Sequence, residues 1–435
     1  MARFFVLPVV VILSCAAGSA FASGFQLREQ DPAAQGTAFA GVTAGTGDLS
    51  AMFFNPAAAA LVDGTQFEAG GSFIAPTTKL KNASGTYFLG GGAISGPTTH
   101  EDSAMNALVP SLYASHEIEP GVHVGISVTA PYGMVTKYDT NWVGRYHALR
   151  SKLKTINVTP SVSYEVSPTL NIGGGFMMEY AKADLTNAID FGTILGVPGA
   201  ADGFGRLEGS DLSYGFNAGL TWQATPATRM GASFRSRVAH TLKGNATFSG
   251  VPAVPALQAA FAYTSAKAKL AIPAVYSFGI THDFSPEWSI MAEADRTMWS
   301  SFKELRVDFA NPLKSDSVTD ENWQDVWFFS LGTEYRPTEK WTLRMGVAYD
   351  KSPVPEVDRT PRIPDQDRRW VSLGASYKFT DTISLDGAFT HIFVDDAILN
   401  LQDLGPGTVN YLRGDVTGTF ENEVDIFSAR MNFKF

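Results

Sequence analysis

At its C-terminus the chain alternates strictly. Phe427, Ala429, Met431, Phe433 and Phe435 are separated by Ser428, Arg430, Asn432 and Lys434. A period of two gives a strand one apolar and one polar face. Long alternating segments recur upstream, punctuated by six very short turns with Pro, Gly or Thr/Asp chemistry. The turns are Glu119-Pro120-Gly121, Ser167-Pro168-Thr169, Thr225-Pro226-Ala227, Ser285-Pro286-Glu287, Pro337-Thr338-Glu339 and Thr380-Asp381-Thr382. Longer connections fall between them, near residues 81–105, 138–150, 184–210, 245–266, 310–322, 351–366 and 395–420. In outer-membrane barrels short turns face the periplasm and long loops face outside. With both termini periplasmic, this turn count implies about 14 strands, an even number that lets an antiparallel sheet close without edges. Trp222, Trp288 and Trp341 each sit within a few residues of a short turn. That is the depth of an interfacial aromatic girdle, although packing at strand ends would also account for them.

The N-terminus reads as a signal peptide over residues 1–22: Arg3, an apolar run from Phe4 to Leu13, and the small-residue site Ala20-Phe21-Ala22. Cys15, the only cysteine, lies inside it, and acylation there as a lipoprotein is the alternative reading. Residues 23–63 are small, Gly/Ala-rich and punctuated by Phe25, Leu27, Phe39, Met52, Phe53 and Phe54. That apolar content argues against a disordered tail and for a hatch folded into the lumen. Residues 64–435 would form the barrel. The expected fold is therefore all-β, an antiparallel transmembrane β-barrel of about 14 strands with a small N-terminal hatch.

Composition agrees with this reading. The chain has 30 Phe, 14 Tyr, 8 Trp and 41 Gly, and no segment after the signal is long and apolar enough for a membrane helix. A net charge of −10 argues against nucleic acid as a partner. Catalytic chemistry is not signalled. The seven His are scattered, no G-x-S-x-G elbow occurs and no His/Cys set has metal spacing, so no enzyme activity, cofactor or metal is expected. His240 and His282 fall in strand segments, and Asp395-Asp396 reads as a solvated loop rather than a calcium site. The charge-dense run Arg359, Arg362, Asp365, Asp367, Arg368, Arg369 suggests an ion-pair network closing a loop onto the wall, with carboxylate binding as the lesser reading.

Several segments resemble the FadL family of outer-membrane transporters for hydrophobic compounds. They are Gly24-Phe25-Gln26-Leu27, Asn55-Pro56-Ala57, Ala130-Pro131-Tyr132-Gly133, Trp299-Ser300-Ser301-Phe302, and Asp350-Lys351-Ser352-Pro353-Val354-Pro355 followed by Ile363-Pro364-Asp365-Gln366-Asp367-Arg368. They occur in the family's order and span essentially the whole chain after the signal. The resemblance implies a 14-stranded barrel closed by a hatch whose motif is Asn55, Pro56 and Ala57. It also implies passive transport: binding in an extracellular groove, passage to a pocket beside the hatch N-terminus, and lateral release through a kinked third strand. Long-chain fatty acids are the first substrate class expected, and aromatic or aliphatic hydrocarbons the second. An adhesin or phage receptor on a barrel scaffold is the alternative of another class, but it would want hydrophilic loops and no plug.

The residues can be read against that route. Pro131 has no N–H to donate and Gly133 tolerates a bulge. With Tyr132, they interrupt the segment from Val122 to Lys137, as a lateral exit or as a bulge that only helps curvature. Two loops are unexpectedly apolar, one with Phe191, Ile194, Leu195 and Val197, the other with Val251, Val254, Leu257, Phe261 and Tyr263. They could form a groove or simply cap each other. Substrate contacts are expected from Phe25, Leu27, Phe191, Ile194, Leu195, Leu257 and Phe261. Lys182, Arg206 and Lys314 are the basic candidates in the loops. Expected partners are a hydrophobic small molecule, outer-membrane lipid and lipopolysaccharide, and the barrel assembly machinery through the strand ending at Phe435. A monomer is expected.

Overall fold

The alternating segments close into one wall. The computed structural model describes residues 23–435, so the signal-peptide reading of residues 1–22, with Cys15, lies outside the described residues. The barrel has 14 antiparallel strands. In chain order they are Thr65–Thr86, Ala107–Glu119, Val122–Thr129 with Gly133–Lys137, Arg150–Ser167, Leu170–Asp190, Asp202–Thr225 and Thr228–Arg235 with Val238–Ser249. The second half runs Thr264–Ile272 with Val275–Asp283, Trp288–Thr297 with Glu304–Phe309, Ser317–Asp320 with Val326–Tyr335, Trp341–Asp350, Arg368–Thr380, Ile383–Val394 with Ala397–Leu401, and Asp415–Lys434. The last strand pairs with the first, Phe433 opposite Phe67, so the sheet has no free edge.

All six short turns fall between consecutive strands at one end of the barrel. Trp222, Trp288 and Trp341 are exposed there, on the outer face. The long connections are shorter than the sequence suggested. Strands five and six pair without interruption from Leu170 opposite Trp222 to Asp190 opposite Asp202, so most of residues 184–210 is strand. The seventh strand likewise continues to Ser249, and residues 317–320 and 397–401 are strand within two further expected loops. Polar residues had signalled loop at these places, but the ladder continues above the hydrocarbon, where alternation no longer separates apolar from polar.

The outer face sets the membrane depth. On strand six Leu212, Tyr214, Phe216, Leu220 and Trp222 are exposed on alternate positions. At ~3.4 Å per residue and a tilt of ~40°, that run spans about 25 Å, the height of an outer-membrane apolar band.

Residues 23–62 fill the lumen as a short helix, Pro32–Gln35, and three 3₁₀ turns, and nearly all of them are buried. The hatch touches wall backbone where the wall carries glycine. A Cβ on Gly346 would lie 2.1 Å from the Thr37 carbonyl, and one on Gly173 would lie 2.5 Å from Ala57 N. The hatch motif is a cap. Asn55 accepts from Ala57 N at 3.0 Å and donates to Thr43 O at 2.7 Å and to the wall carbonyl of Leu220 at 2.8 Å. Buried Arg430 ties wall to hatch, contacting Asp386 at 2.7 Å, Glu68 at 3.0 Å, Asp48 at 3.1 Å and Asp31 at 3.4 Å. Glu68 in turn accepts from the backbone of Leu49 and Ser50 at 2.8 and 2.9 Å.

Seating therefore depends on close backbone approach. Gly346→Val should unseat the hatch without opening the ladder. Limited proteolysis of the folded, heat-modifiable barrel should then cut within residues 30–60, which wild type protects. Equal protection in both would show that the approach at Gly346 is dispensable.

Candidate substrate path and wall opening

The wall is interrupted in several strands, and the hatch N-terminus sits at the break in the third. The third strand stops at Thr129 and resumes at Gly133. On the strand-four side, Thr129 faces Asn157 and Gly133 faces Lys154, so the third strand carries one extra residue there. On the strand-two side, pairing ends at Leu112 opposite Val128 and returns only as an isolated bridge between Ala104 and Thr136. Ala107–Ser111 therefore pairs with strand one alone.

The free backbone groups of this gap are met by the hatch. Leu27 N donates to Pro131 O at 2.7 Å, and Gly133 N donates to Phe25 O at 2.9 Å. The Gln30 side chain brackets Ala130, donating to its carbonyl at 3.0 Å and accepting from its amide at 3.1 Å. Thr155 Oγ1 accepts from Tyr132 N at 3.0 Å. Residues 25–27 thus act as a short added strand that closes the interruption. Gly133 allows the approach, since a Cβ there would meet Leu27 Cδ1 at 3.1 Å.

Phe25 is fully buried in an aromatic cage. Its ring centroid lies 4.8 Å from Trp299, 5.4 Å from Trp323, 5.9 Å from Phe302 and 6.1 Å from Tyr132. The cage is the lower end of an apolar lane on the inner wall, through Met134, Leu153, Met177, Val238, Leu242 and Leu270. Ala268 joins this lane to an upper cluster with Val307, Leu207, Phe248 and Phe309.

The upper cluster opens into a cavity of about 200 Å³ lined by Ile194, Leu207, Phe248, Phe261, Phe309, Lys314, Tyr411 and Arg413, among others. The two apolar loops do pack on each other. Phe191 meets Phe261 edge-on at 4.9 Å, and Phe261 meets Phe248 at 5.3 Å. They leave this pocket rather than sealing it. The Lys314 ammonium lies over three ring faces, 4.0 Å from Phe261, 4.7 Å from Phe248 and 5.0 Å from Phe309. Burial, with Arg413 nearby, pushes its pKa down to about 8.

The expected site residues therefore separate. Ile194, Phe261 and Lys314 line the loop pocket. Phe191 is fully buried beneath it, with its ring against Gly203. Leu257 is half-buried on the short helix Pro255–Ala260, and Leu195 is exposed to solvent. Phe25, Tyr132 and Gly133 meet at the wall gap. Leu27 packs there too, but its side chain joins the core between hatch and wall.

Lys182 and Arg206 are not in loops. They lie on strands five and six. Lys182 stands between inward-facing Ala181 and Ala183 and so points out of the barrel. Arg206 is exposed and holds Asp184 at 3.0 Å and Glu208 at 2.9 Å. The period-two pattern that marks these strands also fixes their facing. Arg206 falls within residues 184–210, whose polar content suggested a loop, and Lys182 lies just before them.

Sequence reasoning missed Arg413, Phe248 and Phe309, which the last long connection and the ends of strands seven and nine bring together with no local motif. Trp323 was also missed. It stands on no alternating run, and nothing in its neighbourhood signals the cage. The charge-dense run is divided: Arg368 pairs with Asp365 and lies 3.7 Å from Asp350, while Arg369 pairs with Asp395 on the outer surface at 2.6 Å. Asp365 also accepts from Gly24 N at 2.9 Å and so holds the start of the hatch. His240 is a wall residue between Glu179 and Asp211, and no metal-holding group of side chains occurs among the described residues.

Comparison with known proteins agrees with this fold. A long-chain fatty acid transport protein of Escherichia coli strain K12 is 28% identical over 425 residues, covering 90% of this chain and 92% of that protein. The crystal structure of a Pseudomonas aeruginosa FadL homologue superposes with a TM-score of 0.86 at 27% identity, covering 95% of this chain and 100% of that one. The Ralstonia pickettii toluene transporter TbuX shares the fold, with a TM-score of 0.67 at 22% identity over 94% of this chain and 99% of that one. The family described as outer membrane protein transport protein (OMPP1/FadL/TodX) matches residues 13–435. The chain belongs to that family of outer-membrane transport channels, and it is not an enzyme.

Proposed function

We propose that this protein carries long-chain fatty acids inward across the outer membrane without an energy source. The observation that carries the reading is the pairing of a cationic, aromatic pocket at the loops with an apolar lane that ends on a plugged gap in the wall. Lys314 and Arg413 suit a carboxylate, and the ring faces suit the first methylenes. The tail follows Leu207, Ala268, Leu242 and Leu270 downward instead of crossing water, where each exposed methylene costs ~0.8 kcal/mol. At the cage, a tail that takes the place of the Phe25 ring would pull residues 25–27 from strand three and open the interval between strands two and three. Release is then sideways, into lipid.

Neutral hydrocarbons are the second reading, favoured by the purely aromatic shell around Phe25. The two readings differ at Lys314. A bound carboxylate stabilises the charged ammonium, so binding raises its pKa above the value of about 8 held in the empty pocket. Proton uptake then accompanies binding above that pH. Affinity for oleate should be steady below pH ~7 and fall as pH rises through about 8 to 9. Lys314→Gln should weaken oleate binding about tenfold and flatten this dependence. Toluene binding should change little in either experiment. A fatty-acid affinity independent of pH and of Lys314 would remove the carboxylate role.

Lateral release makes a separate prediction. Pro131→Val supplies the missing donor, and deletion of Gly133 removes the extra residue, so both favour a continuous ladder. Deletion reverses side-chain facing beyond it, so folding must be checked by heat-modifiability. At matched surface levels these variants should bind fatty acid normally but take it up slowly. Near-normal uptake through a wall shown to be continuous would exclude the exit at residues 130–133.

A further inference from the structure

Lys182, displaced from the substrate path, belongs to a different surface. The register places it directly beside Lys154 on strand four and Ser210 on strand six. Ser210 faces Lys243 on strand seven, which faces Lys267 on strand eight. One row across five adjacent strands thus carries four lysines and a serine on the outer face. Ile156, Tyr180 and Leu212, two residues nearer the short-turn end, are exposed apolar residues of the membrane band. The cations therefore begin where the hydrocarbon ends, on the side of the long loops. Strand tilt lifts the row on going round, and Lys269, two residues lower on strand eight, keeps positive charge beside the band there.

These lysines lack protein partners. Among the described residues, the side chains of Lys154, Lys182, Lys243 and Lys267 make no ion pair or hydrogen bond. The acids sharing this face of strands four to six, Asp184 and Glu208, are already held by Arg206. Asp308 stands opposite Lys267 in register without an ion pair. The far side of the barrel differs. At the same end, Lys81 pairs with Glu421, Lys351 with Asp367 at 3.3 Å, and Arg369 with Asp395 at 2.6 Å. Three outward cations there are ion-paired by the chain, whereas the four lysines of the row are not.

We propose that this face of strands four to eight binds the phosphorylated headgroup of an outer-leaflet glycolipid, the lipid A portion of lipopolysaccharide. Phosphate oxygens would complete the lysines, and the acyl chains would lie on Ile156, Tyr180 and Leu212. The spacing suits more than one phosphate. Lys154 and Lys182 stand together on strands four and five, and Lys243 and Lys267 stand together about 10 Å further round, two strand spacings away. Each lysine near a lipid surface adds to binding, and the effect falls with salt.

The test compares the full-length barrel with a quadruple variant, Lys154→Gln, Lys182→Gln, Lys243→Gln and Lys267→Gln. A control carries Lys81→Gln and Lys351→Gln. Each is purified in a neutral detergent and checked for heat-modifiability. Binding is read by native mass spectrometry and by the shift in Tm on adding diphosphorylated lipid A, the dephosphorylated glycolipid, or inorganic phosphate. Wild type and control should bind diphosphorylated lipid A alike and the dephosphorylated form far less. The quadruple variant should lose on the order of a hundredfold in affinity, and the wild-type affinity should fall with salt. Equal binding by wild type and quadruple variant, or no preference for the phosphorylated lipid, overturns the proposal. A wild-type response to inorganic phosphate as large as that to lipid A would instead mark a soluble-anion site and overturn the lipid assignment.

Discussion

A backbone amide in hydrocarbon has no water to turn to, and leaving it unpaired costs several kcal/mol. Closure of the sheet meets that demand along most of the wall, and one of its interruptions is where strand three breaks from strand two. There the hatch completes the ladder. Phe25 and Leu27 exchange main-chain hydrogen bonds with Gly133 and Pro131, and Gln30 serves Ala130. The interruption is thus stable only while residues 25–30 stay in place. On the proposed route those residues are the door, since their removal would leave an aperture facing lipid.

A door needs a rigid frame, and the remainder of the hatch provides it. Backbone-to-backbone packing at Gly346 and Gly173 leaves no slack, and the Arg430 cluster fixes the hatch by buried charge. Breaking such a cluster by removing one partner strands the others without compensation, so it resists partial opening. The proposed route asks movement only of the N-terminal stretch. That stretch is held by Asp365 at Gly24 and by aromatic contacts at Phe25, which an apolar ligand can replace. On the proposed route, the division between a charged, glycine-seated body and an aromatic tip would let one segment both plug and gate.

Much of this was legible in the chain, and the reason is periodicity. Alternation with tight turns at Pro120-Gly121, Pro168 and Pro226 fixes strand number and facing because each signal is local. Pro131 and Gly133 announced a break for the same reason, since a missing donor and a missing Cβ act where they stand. What the sequence left open depends on contacts between distant segments. Arg413 reaches Lys314 from another connection, Trp323 meets Phe25 across some three hundred residues, and nothing near either residue signals it. Lys182 failed in a more instructive way. Its strand parity already pointed outward, but polar content above the bilayer made strand look like loop.

Facing also separates two kinds of positive charge that composition cannot tell apart. Lys314 is buried among rings inside the loops, where desolvation makes a bare ammonium costly and a carboxylate ligand correspondingly valuable. Lys154 and Lys182 stand on the outer face without an ion pair, next to the exposed apolar band, where the proposed lipid headgroup would meet them. A strand of alternating residues can present both, because its two faces meet different solvents. The inner face of strands four to eight offers an apolar lane while the outer face of the same residues' neighbours offers cations. On the proposed route, the wall that would guide substrate inward is the same wall whose outer face carries the unpaired lysines.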